Sequence, residues 1–140
     1  MPSFTARAVQ WLLRTTGTYK KLFSGGPDFH KYQAQALAVP SEPSAKIRAA
    51  LDVSQASFAG RPVWTIAPKQ GTVSAEVLFW HGGGYVYPAA AAHWDFVAHM
   101  AETHGWRMIV PLYPLAPDHD VEVIAAFALD LYRDIPELSS

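Results

Sequence analysis

Three consecutive glycines, Gly82 to Gly84, sit between His81 and Tyr85, directly after the apolar run Ala75-Glu76-Val77-Leu78-Phe79-Trp80. Glycine loses more conformational freedom on ordering than any other residue, so three of them at the end of a buried-type strand mark a place where bare backbone is required. Without Cβ atoms the loop can bring N–H groups close to a ligand. N–H groups aimed at an oxygen that becomes negative stabilise the charge that develops in acyl transfer. The chemistry on offer is half of an oxyanion hole.

Candidates for the remainder of a catalytic set are scarce. A serine nucleophile of the strand-turn-helix kind needs the pentapeptide G-x-S-x-G, which does not occur. The nearest approach, Gly71-Thr72-Val73-Ser74-Ala75, ends in alanine and precedes a strand, so Ser74 is expected to be a loop residue. His93, His99 and His104 share one helix and are expected at its surface or in its packing. A helical pair of metal ligands wants spacing four, whereas these are spaced six and five, so no metal site is expected. Asp118 and His119 are assigned to loop structure, and Asp95 to orienting the region of the glycine loop. Tyr85, Tyr87 and Trp94 are candidates for lining a substrate pocket, in competition with ordinary core packing.

The elements that must hold these residues follow from periodicity. Phe4, Ala8, Trp11, Leu12, Tyr19 and Leu22 fall near one side of a first helix, with Arg7, Arg14, Lys20 and Lys21 opposite. Packing on the parent fold is preferred to a membrane-surface role for it. Asp28 is placed as the cap of a second helix through Tyr32 and Leu37, and a third, shorter helix is expected around Ser44 to Leu51. Two strand-forming pieces around a Gly/Pro interruption, from Ser57 to Ile66, are expected as outer strands. The run Ala75 to Trp80 is expected to be covered on both faces. A helix over His93 to His104 buries Trp94, Val97, Ala98 and Ala101 and stops at Gly105. Arg107 to Val110 makes another buried strand, and Pro111 to Asp120 a proline-rich loop. A last helix from Val121 to about Arg133 buries Val123, Ala126, Phe127 and Leu131, with Pro136 ending it. Strand, loop, helix, strand, loop, helix in this order marks an α/β fold with parallel strands joined by right-handed crossovers.

Composition bounds the partners. Half of the 140 residues are hydrophobic, enough for one real core, and 11 basic against 12 acidic side chains argue against a nucleic-acid footprint or a polybasic membrane patch. Small neutral partners fit better. No cysteine is present, which excludes disulfides and thiolate metal sites. Gln10 and Arg14 interrupt the only early apolar stretch, so no export signal is expected, nor any integral membrane segment, and a cytoplasmic location is the default.

Two stretches carry a resemblance. Phe79-Trp80-His81-Gly82-Gly83-Gly84-Tyr85 and Tyr113-Pro114-Leu115-Ala116-Pro117-Asp118-His119 resemble, in order and distance, the HGGG loop and the tyrosine-arginine-leucine-alanine-proline-glutamate-histidine segment of hormone-sensitive-lipase-like esterases, a branch of the α/β hydrolases. The likeness spans roughly Phe58 to Arg133. It departs at Leu112 and Pro114, where the family usually carries aspartate and arginine, so a polar pair that could brace the second loop is absent.

The resemblance implies an incomplete α/β-hydrolase fold: cap-like helices over residues 1–52, then the first strands and two crossover helices over residues 53–140. It implies Gly83 and Gly84 as oxyanion donors, His81 as a brace for the loop, Gly82 as the residue permitting the turn, a small-molecule ester as substrate and no cofactor. The family's nucleophile strand would begin near Ser139 and Ser140, so the expectation is a front part of a carboxylic-ester hydrolase, inactive alone for want of serine, acid and base. The alternative is a non-catalytic remnant or binding module of the same ancestry. In either case an uncovered sheet edge invites self-association.

Overall fold

The structure, a computed structural model, describes residues 27–138. The amphipathic helix expected over Phe4 to Leu22 lies outside them. Two compact units divide the chain, Met1–Val39 and Pro40–Ser140.

In the first unit the described part is helix α1, Pro27–Leu37. It starts on Pro27, whose missing N–H costs nothing at the first helical position. Asp28 therefore sits inside the first turn, where its charge suits the positive helix end, and not at the cap position expected for it. Phe29 and Gln33, four residues apart on one face, are both buried.

The second unit opens with helix α2, Ala45–Ala50, whose cap Ser44 accepts a hydrogen bond from the Ile47 N–H at 3.3 Å. Ile47 and Leu51 lie in the core of the sheet that follows. This is why α2, grouped from sequence with the N-terminal helices, packs instead with residues 53–140 and the compact unit begins at Pro40.

Strands β1 (Asp52–Phe58) and β2 (Arg61–Ala67) form an antiparallel hairpin, turned at Ala59 and Gly60 with φ of 47° and 74°. Two central residues of positive φ match the right-handed twist of paired strands, which makes this the favoured two-residue hairpin turn. Strands β3 (Ala75–Leu78) and β4 (Trp106–Pro111) run parallel, joined by helix α3 (Ala91–His104). The sheet order is β1-β2-β4-β3, with β2 antiparallel to β4.

Alternation along the inner strands builds two cores. Trp64, Ile66, Met108 and Val110 face α3, where Trp94, Val97, Ala98 and Ala101 meet them as the helical spacing predicts. Val63 and Ile109 point to the other face, against helix α4 (Val121–Leu138). Gly105 ends α3 in the left-handed conformation at φ 68°, and its N–H returns to the Ala101 carbonyl at 3.0 Å.

Four expectations need correction. β2 is interior, not outer: it pairs on both sides, and its residues 63, 64, 66 and 67 are buried. β3 is covered on both faces only over Val77 and Leu78, which pack against the two opposite cores. It is an edge strand among the described residues, with Ala75 and Glu76 exposed, because an apolar run cannot say whether a neighbour strand stands beside it. The buried stripe of α4 is Ile124, Phe127 and Leu131, whereas Val123 and Ala126 are exposed. An alanine-rich helix offers two nearly equivalent apolar stripes, and the larger side chains take the core. Finally, α4 continues past Pro136 to Leu138, since a proline deletes one N–H without forbidding helical φ.

Candidate functional site

The glycine loop leaves the sheet at the carboxyl end of β3. Phe79 makes the last sheet-like bond, its N–H donating to the Ile109 carbonyl at 2.8 Å. The chain then adopts positive φ at three successive residues: Gly83 (130°), Gly84 (62°) and Tyr85 (62°). At Gly83 no side chain fits, because a Cβ there would stand 2.6 Å from the Tyr87 carbonyl oxygen. The Gly83 carbonyl in turn accepts from the Val86 and Tyr87 N–H groups at 3.2 and 3.1 Å, closing a tight turn. The N–H groups of Gly83 and Gly84 have no acceptor among the described residues. Gly82 is not in a positive-φ conformation, so the turn assigned to it from sequence is made one to three residues later.

His81 and Tyr113 anchor the loop. The Tyr113 hydroxyl donates to the His81 carbonyl at 2.7 Å in a buried setting, and the two rings stack at 4.3 Å and 16°. Burial, with a smaller contribution from Tyr85, pushes the Tyr113 phenol up to about 12, so the hydroxyl keeps its proton and its donor role at any ordinary pH. The His81 ring is 3% exposed, and its Nδ1–H donates to the Gly82 carbonyl at 2.9 Å. Burial lowers the His81 pKa below 6.5, opposed by that hydrogen bond and reinforced by nearby His93. The neutral ring is therefore the folded form. Because the unfolded chain binds the proton more readily, this residue's contribution is whole above pH 6.5 and is lost as pH falls below it. Denaturation midpoints measured downward from neutral pH are expected to fall through that window, and less so in His81→Gln; equal slopes for the two proteins would contradict the buried neutral ring.

The second loop grips the first at another point. The Ala116 N–H donates to the Tyr85 carbonyl at 2.9 Å, and Arg61 on β2 donates to His119 Nε2 at 2.8 Å. The Arg61 bond ties the second loop to β2. It was invisible in the sequence because it comes from a distant strand. Asp120 caps α4, accepting from the Val123 N–H at 3.0 Å. Between the loops and α4 lies a cavity of about 450 Å³, lined by apolar groups that include Trp80, Tyr85, Ile124 and Ala128, with His119 and Asp120 as polar members.

Of the three aromatic pocket candidates, Tyr85 lines this cavity and is 62% exposed. Tyr87 is half-buried beside Gly83. Trp94 is 3% exposed in the α3 core, edge-on to Trp64, and does not reach the cavity. Ser74 is a loop residue whose hydroxyl donates to the His104 carbonyl at 2.7 Å. His99, His104 and Asp95 are exposed on α3, and no cluster of metal-binding side chains occurs among the described residues. The residue of α3 that does meet the glycine loop is His93, whose Nε2 would be 3.4 Å from a Cβ on Gly82.

A strand, a glycine loop at its carboxyl end, a crossover helix, a parallel strand and a bracing loop are the front of one known architecture, and the chain has part of an α/β-hydrolase fold. Residues 77–139 match the family model described as the alpha/beta hydrolase fold. A Staphylococcus aureus protein assigned as an esterase superposes with a TM-score of 0.68 at 13% identity, over 81% of this chain and 39% of that one. A hormone-sensitive lipase from a metagenome library gives 0.57 at 20%, over 76% and 33%. A hormone-sensitive-lipase homologue, also from a metagenome library, gives 0.58 at 19%, over 89% and 41%. The fold implied by the two motifs is thus the fold that these structures share with the chain. The chain spans well under half the length of each of these three proteins. No curated protein matches its sequence. No described helix is long and apolar enough to cross a membrane.

Proposed function

We propose that this chain supplies the oxyanion-binding part of a carboxylic-ester hydrolase, with a serine, an acid and a histidine contributed from outside these 140 residues. The observation that carries the proposal is the pair of N–H groups on Gly83 and Gly84, without acceptors among the described residues and fixed by a turn that excludes side chains. In the complete site the serine hydroxyl attacks the ester carbonyl, its proton passing to the histidine base, while the carbonyl oxygen gains negative charge. The two N–H groups hold that oxygen through the tetrahedral intermediate and release it when the alcohol leaves. His81 and Gly82 keep the donors aimed, and Tyr85, beside the apolar cavity, is placed to meet the organic part of the ester. No cofactor is needed for this chemistry.

The 140 residues alone are expected to leave a p-nitrophenyl ester intact, indistinguishable in rate from a matched Gly83→Pro control. Joined to a nucleophile-bearing half, the wild-type sequence is expected to hydrolyse it and the Gly83→Pro sequence to do so about 100 to 1,000-fold more slowly. Hydrolysis by the short chain, absent from the control, would sink the claim that the nucleophile comes from elsewhere.

A second reading, association without catalysis, has one observation in its favour. Among the described residues β3 pairs on one side only, and exposed Trp80 and Phe96 lie near its end, edges of a kind that pair with other chains. Sedimentation of the purified chain is expected to show self-association or partial unfolding. A monodisperse monomer that melts cooperatively would remove this reading.

A further inference from the structure

We infer that His93 is a positioning residue of the glycine loop, its Nε2–H edge facing Gly82 and its ring set against that of His81. This rests on the oxyanion reading of the loop. The geometry starts from a weakness in α3. The cap position is Ala90, which has no side-chain acceptor, so the first turn lacks the usual serine or aspartate. His93, three residues on, supplies the return half of a capping box: the Ala90 N–H donates to its Nδ1 at 2.9 Å. That bond uses the Nδ1 lone pair, so the neutral ring carries its proton on Nε2.

Nε2 is thereby turned toward the loop, 3.4 Å from the position a Gly82 Cβ would occupy, and it is the nearest atom on that side of the residue. The rings of His93 and His81 lie 5.9 Å apart, so the helix side chain also meets the ring that anchors the loop. One side chain thus couples the start of α3 to the residue that precedes both oxyanion donors. The role assigned from sequence to Asp95, orienting this region, falls to a residue two positions earlier.

Two measurements on the 140-residue chain test this, and neither uses hydrolysis, so their failure is separable from failure of the esterase reading. Long-range proton–nitrogen NMR correlation of the imidazoles is expected to show His93 protonated at Nε2 and bare at Nδ1; the opposite tautomer overturns the inference. In His93→Gln the new side chain can still reach the Ala90 N–H, which preserves the cap, but removes the ring from Gly82. Expected is a melting temperature close to wild type together with amide exchange about tenfold faster at Val86 and Tyr87, whose N–H groups close the loop on Gly83. Unchanged exchange at those two amides, with or without a lower melting temperature, reduces His93 to a helix cap and overturns the proposal. If the variant does not fold, the wild-type tautomer decides.

Discussion

Gly83→Ala is expected to lower the stability of the chain by about 2–4 kcal/mol and to disorder the loop from Gly82 to Tyr87, while Gly82→Ala costs about 1 kcal/mol or less. The difference lies in geometry, since both changes add the same methyl. At Gly83 the methyl meets a φ of 130° and a backbone oxygen 2.6 Å away, and that oxygen cannot step aside without breaking the turn around the Gly83 carbonyl. At Gly82 the backbone is ordinary and the nearest atom is the His93 ring nitrogen, at 3.4 Å and on a side chain that can shift. Denaturant titration of both variants measures the gap. Equal losses would mean that the loop does not hold this turn. In a catalytically complete protein the same Gly83 change keeps the N–H but moves it off target, and is expected to cost about 100 to 1,000-fold in turnover, as large as the loss of one oxyanion donor.

The next largest effect is expected from Tyr113→Phe, a loss of about 1–3 kcal/mol for deleting one oxygen atom. Phenylalanine keeps the stack on His81 but leaves the buried His81 carbonyl without the hydroxyl that now donates to it at 2.7 Å. A buried acceptor stripped of its donor loses what water once supplied and gains nothing in return. Because this carbonyl directly precedes Gly82, movement there is transmitted to the donors, and the His81 Nδ1–H signal in NMR is expected to broaden or shift. An unchanged denaturation midpoint would show that the second loop does not brace the first.

How much of this was legible in the residues depends on the range of the interaction. The glycine run stated its requirement plainly, because a side-chain-free backbone has few other uses, and the structure meets it with positive φ at Gly83 and Gly84. Helix α3 was legible in extent, in its Gly105 stop and in its four buried residues, all set by local spacing. What failed was non-local. Whether the apolar run of β3 lies inside a sheet or at its edge depends on a neighbour strand, and β2 becomes interior only because β4 pairs with it. Trp94 was assigned to two places at once, core and pocket, and the Trp64 ring across the sheet decides for the core.

The same limit applied to the site. Tyr113 was singled out for its motif, but its hydroxyl bond to His81 spans 32 residues, and the Arg61 bond to His119 spans 58. His93 was read as one of three histidines at the surface or in the packing of one helix, since nothing in its spacing from His99 and His104 sets it apart. An alanine at the cap position was the available signal: a helix start without a capping side chain asks for a donor's partner from the third helical residue, and His93 stands there.

The central claim is that the Gly83 and Gly84 donors serve a serine that lies outside these residues. It is tested most directly by the intact mass of the protein isolated from its source, compared with the coding sequence beyond the Ser140 codon. A product longer than 140 residues, continuing into a strand that ends in G-x-S-x-G, is the predicted result. A native product that ends at Ser140 would contradict it and leave the loop without a reaction to serve.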